Sequence, residues 1–284
     1  MPKNTVLLIV DKSSQVTSLN SWIDAVEGQD SHLSVLVAAM AQPIPTTAYG
    51  AIPYGGIVVT EEWQRAVKED AEELSEKVSQ IEAAFLDAGI SADVRGCHCE
   101  LPLLADEVAD AASVSDFAAI PEGHGLDPAM HSRVVSSLLF QSPIALALHT
   151  TDPMAVLKPK KVFVAWKPGL PASRAVHAAL PQLQQAEEVV VGIFDPDMRA
   201  AQDGEEPGAD VATWLSRQGC TVTVEQLPSG GKNISECIDA HAKQLAADAI
   251  VMGAYGHSKW HERIFGGTTH MIIKQAGTPV IMAH

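Results

Sequence analysis

Aromatic side chains are scarce in this chain, 5% of 284 residues, and charged ones make up only 19%. With 46% hydrophobic residues the chain still has enough apolar material for one large globular domain or two of roughly 140 residues, which excludes a disordered tail or a collagen-like rod. Cysteine is nearly absent. Cys97, Cys99, Cys220 and Cys237 are too few and too scattered to form a disulfide framework, and a reducing compartment suits them. Basic residues are also short: 19 Lys plus Arg face 35 Asp plus Glu, a formal charge of −16. Such a surface repels a phosphate backbone or an anionic leaflet, so neither nucleic acid nor membrane is expected as a partner. No run approaches the roughly 18 apolar residues that a spanning helix needs. The opening Met1-Pro2-Lys3-Asn4 leads into a short apolar run that stops at Asp11 without a small-residue cleavage site, and a cytoplasmic location is expected.

Catalytic signatures are missing as well. No Gly-x-Ser-x-Gly elbow, His-Glu-x-x-His or Pro-Cys-x-x-Cys occurs, so acyl transfer and zinc hydrolysis have no support. Gly230-Gly231-Lys232-Asn233 lacks the upstream glycine and the following hydroxyl of a P-loop and reads as a turn before a helix. Cys97-His98-Cys99 puts two thiols on one side of a strand, half of a zinc site without a second close-spaced pair; ordinary buried thiols are the expected reading.

What the chain does have is internal repetition. Val6 to Val10 followed by Asp11-Lys12-Ser13-Ser14 has a counterpart in Val162 to Trp166 followed by Lys167-Pro168-Gly169. Each half continues with a helical segment and a second apolar run, Leu33 to Ala39 and Val189 to Phe194. Third strands follow near Ala92 to Arg95 and Thr221 to Glu225. Each half then ends on a Pro-led strand, Pro143 to Leu148 and Pro279 to Ala283. Short apolar runs alternating with helical patterns imply parallel strands joined by crossover helices, because parallel neighbours need a long connection. Two five-stranded α/β domains are expected, meeting in a linker near Thr150 to Lys161.

One helix is clear in outline. Trp63, Val67, Ala71, Leu74, Val78, Ile81 and Phe85 recur at steps of four and three, predicting a core stripe, with Thr60 as cap and Gly89 as stop. Asn233-Ile234-Ser235-Glu236 reads as a capping box opening a second helix.

Chemistry concentrates near the C-terminus. A buried strand ends at Met252; Gly253 and Gly256 follow, and Gly266-Gly267 opens a helix led by Thr268. Glycines admit close backbone approach and φ > 0, and the unpaired N–H groups of a helix start attract anions. Lys259, Arg263 and Lys274 face Glu262 alone in this segment, a basic patch in an acidic chain. Ligands of open parallel sheets bind beyond the carboxyl ends of strands, where these loops fall. The competing reading is that the glycines only turn the chain and the cations solvate a helix.

Gly253-x-x-Gly256, nine residues, then Gly266 resembles the signature of the universal stress protein family, and the likeness runs in order through 159–284, with 1–150 resembling a diverged copy. The resemblance implies a tandem of doubly wound, Rossmann-like α/β domains with strand order 3-2-1-4-5, and adenine-nucleotide binding. Carried over, the binding residues are Lys167 from the first-strand loop, Ile193 from the second strand, and Met252, Gly253, Tyr255 and Gly256 from the fourth. Gly266, Gly267 and Thr268 form the phosphate loop. The chain departs from the pattern at Gly267, where a hydroxyl residue is usual, and at Lys167, where Asp is usual.

The first half keeps Asp11 but carries Ile120-Pro121-Glu122-Gly123-His124-Gly125 after its fourth strand, with Met130 and His131 in place of phosphate-loop glycines. It is expected to lack a nucleotide site. The resemblance thus implies ATP or a related nucleotide as a regulatory ligand in stress response, in a chain whose paired domains allow a monomer or a homodimer. Two alternatives stay open: a nucleotide-free scaffold, and a slow ATPase using Asp195 to hold a metal.

Overall fold

The computed structural model describes residues 4–27, 31–44, 59–196, 206–254, 267–274 and 277–284. The chain forms two compact units, one of residues 1–116 with 123–137 and the other of 117–122 with 138–284.

The first unit holds β1 (Asn4–Asp11), a 3-10 turn (Val16–Leu19), α1 (Asn20–Val26), β2 (Ser31–Met40), α2 (Glu61–Asp87), β3 (Ala92–Cys99) and α3 (Leu101–Ala112). Its strands run parallel in the order β3-β2-β1, with Val6 opposite Leu33 and Leu33 opposite Ala92. Strands covered on both faces read as unbroken apolar runs, and Val6 to Val10 and Val35 to Ala39 are all buried. Thr60 caps α2, its Oγ1 accepting from Trp63 N–H at 3.2 Å, and Gly89 stops it at φ +67°. Only Leu74, Ile81 and Phe85 of the expected α2 stripe are buried. Trp63, Val67 and Val78 are half-buried and Ala71 is exposed, so the N-terminal part of the helix meets the sheet less closely than its periodicity predicts.

The second unit holds β4 (Phe117–Pro121), the end of α4 (Pro128–Phe140), β5 (Ala145–Thr150), α5 (Met154–Leu157), β6 (Lys161–Ala165), α6 (Leu170–Ala178) and α7 (Leu180–Gln185). Then come β7 (Glu188–Phe194), α8 (Ala209–Arg217), β8 (Val222–Leu227), α9 (Ile234–Gln244), β9 (Ala249–Gly253), α10 (Gly267–Lys274) and β10 (Val280–Ala283). Its strand order is β4-β5-β10-β9-β6-β7-β8. The run β8-β7-β6-β9-β10 is the expected 3-2-1-4-5 order counted within the second half, all parallel.

The two Pro-led closing strands pair with each other, antiparallel, with Ile281 opposite Ala147. The repeat alone does not predict that pairing. It covers an edge that each strand would otherwise leave with unpaired N–H and C=O groups.

Asn233 caps α9 by accepting from Ser235 N–H at 3.1 Å. Among the described residues no helix is long and apolar enough to cross a membrane.

Candidate functional site

The carboxyl ends of β9, β6 and β7 lie side by side in the second unit. Ala165 is in register with Met252 on one side and with Gly192 on the other. One step further along, Gly253, Trp166 and Ile193 therefore form a row across three neighbouring strands, the place where an open parallel sheet presents a ligand site. Trp166 N–H bonds to the Gly192 carbonyl O at 2.9 Å and holds the start of the β6 loop against β7. Lys167, Pro168 and Gly169 follow on the surface, Gly169 at φ +150°, and α6 begins at Leu170 with Pro171 in its first turn.

Gly253 is where backbone meets backbone. A Cβ there would stand 2.5 Å from Ala172 N and 2.6 Å from the Pro171 carbonyl carbon, so only glycine lets β9 end against the first turn of α6. Its φ is not among the positive values of the chain. Close approach, rather than the left-handed backbone open to glycine, is what this position uses.

Gly192 works in the same way beneath β6. A Cβ on it would fall 2.4 Å from the ring of Phe163, which is fully buried and makes an edge contact with His241 at 5.1 Å between centroids. His241 Nε2 in turn pairs with Glu225 at 2.7 Å. Sequence reading did not single out Gly192. Its signal was a lone glycine inside the apolar run Val189 to Phe194, opposite a large aromatic.

Two of the carried-over residues are interior. Ile193 is 3% exposed, and a Cβ on Gly208, the left-handed residue before α8, would lie 2.6 Å from its Cδ1. Met252 is 6% exposed. Gly267 begins α10, which buries Thr269 and Ile272. Tyr255, Gly256 and Gly266 lie outside the described residues, as do the side chain of Thr268 and most of the 42–59 insert. The C-terminus closes over the end of β9: His284 Nδ1 is 2.8 Å from Ala254 O, and Arg174 donates to the His284 carbonyl O at 2.8 Å.

Asp195, just past β7, holds a left-handed φ of 48° and receives Ser229 N–H on Oδ1 at 2.8 Å. Its own N–H bonds to Leu227 O at 2.9 Å, so the residue clasps the β7 and β8 exits together. Hydrogen bonds from the Ser229 side chain and backbone hold its carboxyl below the usual carboxylate range. Among the described residues no group of three or more His, Cys, Asp or Glu side chains could hold a metal ion.

The corresponding loop of the first unit is filled from within. Asp11 N–H bonds to His124 O at 2.7 Å, and Asp11 Oδ1 takes Ser13 N–H at 2.8 Å. Gly125, at φ +73°, has no room for a Cβ, which would fall 2.9 Å from Ser13 Oγ. Burial pushes the His124 imidazole below its ordinary value, against the pull of Asp11. Asp127 caps α4 through Ala129 and Met130 N–H groups at 2.7 and 2.9 Å, and Met130 is 3% exposed. Lys12 bridges Asp70 and Glu73 at 2.6 Å each.

The strand order, the crossover helices and the row of strand ends define a doubly wound α/β protein with its candidate site at the sheet's carboxyl edge. Residues 159–284 match the family model described as universal stress protein family, and this segment is a universal stress protein domain. Solved structures extend the likeness of fold to the whole chain. A universal stress protein from Archaeoglobus fulgidus DSM 4304 is 18% identical at a TM-score of 0.62, covering 99% of this chain and 96% of its own. A candidate universal stress protein from Pseudomonas aeruginosa UCBPP-PA14 is 14% identical at 0.53, covering 99% and 93%. A protein of unknown function from Pseudomonas aeruginosa PAO1 is 14% identical at 0.52, covering 99% and 92%. No curated protein matches the chain.

Proposed function

We propose that the chain is a tandem universal stress protein whose 159–284 segment binds ATP or a related adenine nucleotide as a regulatory ligand in stress response. The row formed by Gly253, the β6 loop with Lys167, and Ile193 carries this reading, because it sets a loop cation and close-packed backbone at adjoining strand ends. Met252, Tyr255, Gly256, Gly266, Gly267 and Thr268 complete the proposed contact set, with backbone N–H groups of the glycine loop and of the α10 start taking the phosphates. Lys167 adds a charge complementary to a polyphosphate.

No described side chain in this row is a general base, and Asp195 already accepts from Ser229. Binding with at most slow hydrolysis is the proposed activity. A ligand held at 100 times its Kd would stabilise the fold by about 2.7 kcal/mol, enough to shift partner choice or lifetime. The first half, with the Asp11 loop occupied by Gly125 and Met130 buried, is proposed to lack a nucleotide site and to serve as the packing half of a pseudo-dimer.

The second reading, a nucleotide-free scaffold, is favoured by the burial of Ile193 and Met252, which leaves little of either side chain for an adenine. Mass spectrometry of small molecules released from freshly purified protein, with calorimetric titration of ATP, separates the two. ATP or ADP in the wild type and its loss in Gly256→Val supports nucleotide binding. Clean protein with no heat on ATP addition supports the scaffold. ATP turnover abolished by Asp195→Ala would instead support an ATPase.

A further inference from the structure

Cys97 and Cys99 occupy alternate positions on β3, so strand geometry sends both side chains to one face. Both are free thiols, and their Sγ atoms stand 3.3 Å apart. Cα atoms two residues apart on a strand are separated by about 6.6 Å, at the upper end of the span that a disulfide bridges. Cys97 is 5% exposed, whereas Cys99 is half-buried and ends the strand, one residue before α3. His98 alternates to the opposite face, where its Nε2 is buried with no hydrogen-bond partner among the described residues. The three side chains therefore do not converge on one metal, and the half zinc site weighed from the sequence has no completing ligand among the described residues.

We propose that Cys97 and Cys99 form a reversible redox modification site that closes to a disulfide on meeting a small-molecule disulfide. Cys99, the more accessible sulfur, attacks as thiolate and forms a mixed disulfide, releasing one small thiol. Cys97 then gives up its proton and attacks Cys99 Sγ, releasing the second. Two protein S–H bonds and one small-molecule S–S bond are consumed; one protein S–S bond and two small thiols result. Burial raises both thiols above the ordinary cysteine value, Cys97 most, so the resting pair is protonated and exchange is slow.

Closure also has a local consequence. Cys97 is in register with Ala38 and Cys99 with Met40, and the Cys99 carbonyl O accepts Ala41 N–H at 2.9 Å. Drawing the two sulfurs to bonding distance shortens this end of β3 and loosens that last rung.

The test incubates the full chain with oxidised glutathione, quenches with an alkylating agent and cleaves at arginine. The peptide from Gly96 to Arg133 contains no cysteine besides these two. The expected product is this peptide two hydrogens lighter, unalkylated, restored to two alkylatable thiols by dithiothreitol, with faster amide exchange at Ala41 in the oxidised chain. Cys97→Ala should instead hold glutathione on Cys99. Two alkylated cysteines after oxidation, or glutathione persisting on Cys99 of the wild type, would overturn the proposal. Both of those deciding outcomes use the wild-type chain and do not depend on a variant folding.

Discussion

Gly253 illustrates how one missing side chain lets a strand end pack against a helix start. Its Cβ would collide with the backbone of Pro171 and Ala172 rather than with a side chain that could swing away. Gly253→Val should cost about 1–3 kcal/mol, read as a lower urea midpoint with an unchanged slope, and should weaken any ligand at the neighbouring strand ends. The glycine itself was legible in the sequence, but as one that lets the backbone approach a ligand; that its use is helix packing follows from where α6 begins, which no local pattern records. Asp195 makes a second test. Its folded pKa is depressed, so its contribution to stability is present above the unfolded value near 3.9 and is lost as pH falls through the lower folded value. Asp195→Ala should be less stable than wild type at pH 7, and the gap should close towards pH 2. A gap of constant size across a urea series from pH 7 to 2 would show that the carboxylate is not the cause.

At the scale of elements, α2 is held by the buried C-terminal part of its stripe, by its cap and by its tie to Lys12. Thr60→Ala removes the side chain that accepts from the first turn, at Trp63 N–H, and should cost about 1 kcal/mol. Circular dichroism during urea unfolding would measure it. Lys12 joins β1 to this helix. Burial pulls its pKa down, but the hydrogen bonds and charges of Asp70 and Glu73 together outweigh burial and raise it, while Lys12 holds Asp70 low. The tie is therefore complete across the middle pH range. It fails as pH falls through the depressed Asp70 value or rises through the elevated Lys12 value. Lys12→Met should cost about 1 kcal/mol at pH 7, with the loss vanishing in acid. The length, cap and stop of α2 could all be read from residues 60–89. The uneven burial of its stripe could not, since periodicity gives a face but not the partner's extent. Lys12 is 58 residues from Asp70, a pairing that no helical spacing reveals.

For the whole molecule the decisive strand is β10. Only four residues long, it lies between β9, parallel, and β5, antiparallel. Removing residues 279–284 would leave two strand edges unpaired in the middle of the second unit's sheet and delete the His284 contact with Ala254. That truncation should abolish the cooperative unfolding transition of the unit rather than lower its midpoint by a few degrees, as differential scanning calorimetry would show. Alternation of apolar runs and helices in each half predicted strands and crossovers, and the family resemblance implied their order. The β5 to β10 pairing escaped it, because the two Pro-led strands are related by the repeat and nothing in a repeat states whether its copies meet.

The residues by themselves determined the parallel α/β plan and the capped helices, because these rest on short-range periodicity and backbone chemistry. Tertiary structure alone decided that Gly253 is a packing glycine, that Ile193 is interior, and that Asp195 clasps two strands. Each of those depends on which surface a neighbouring element brings within a few ångströms, and sequence distance carries no record of that.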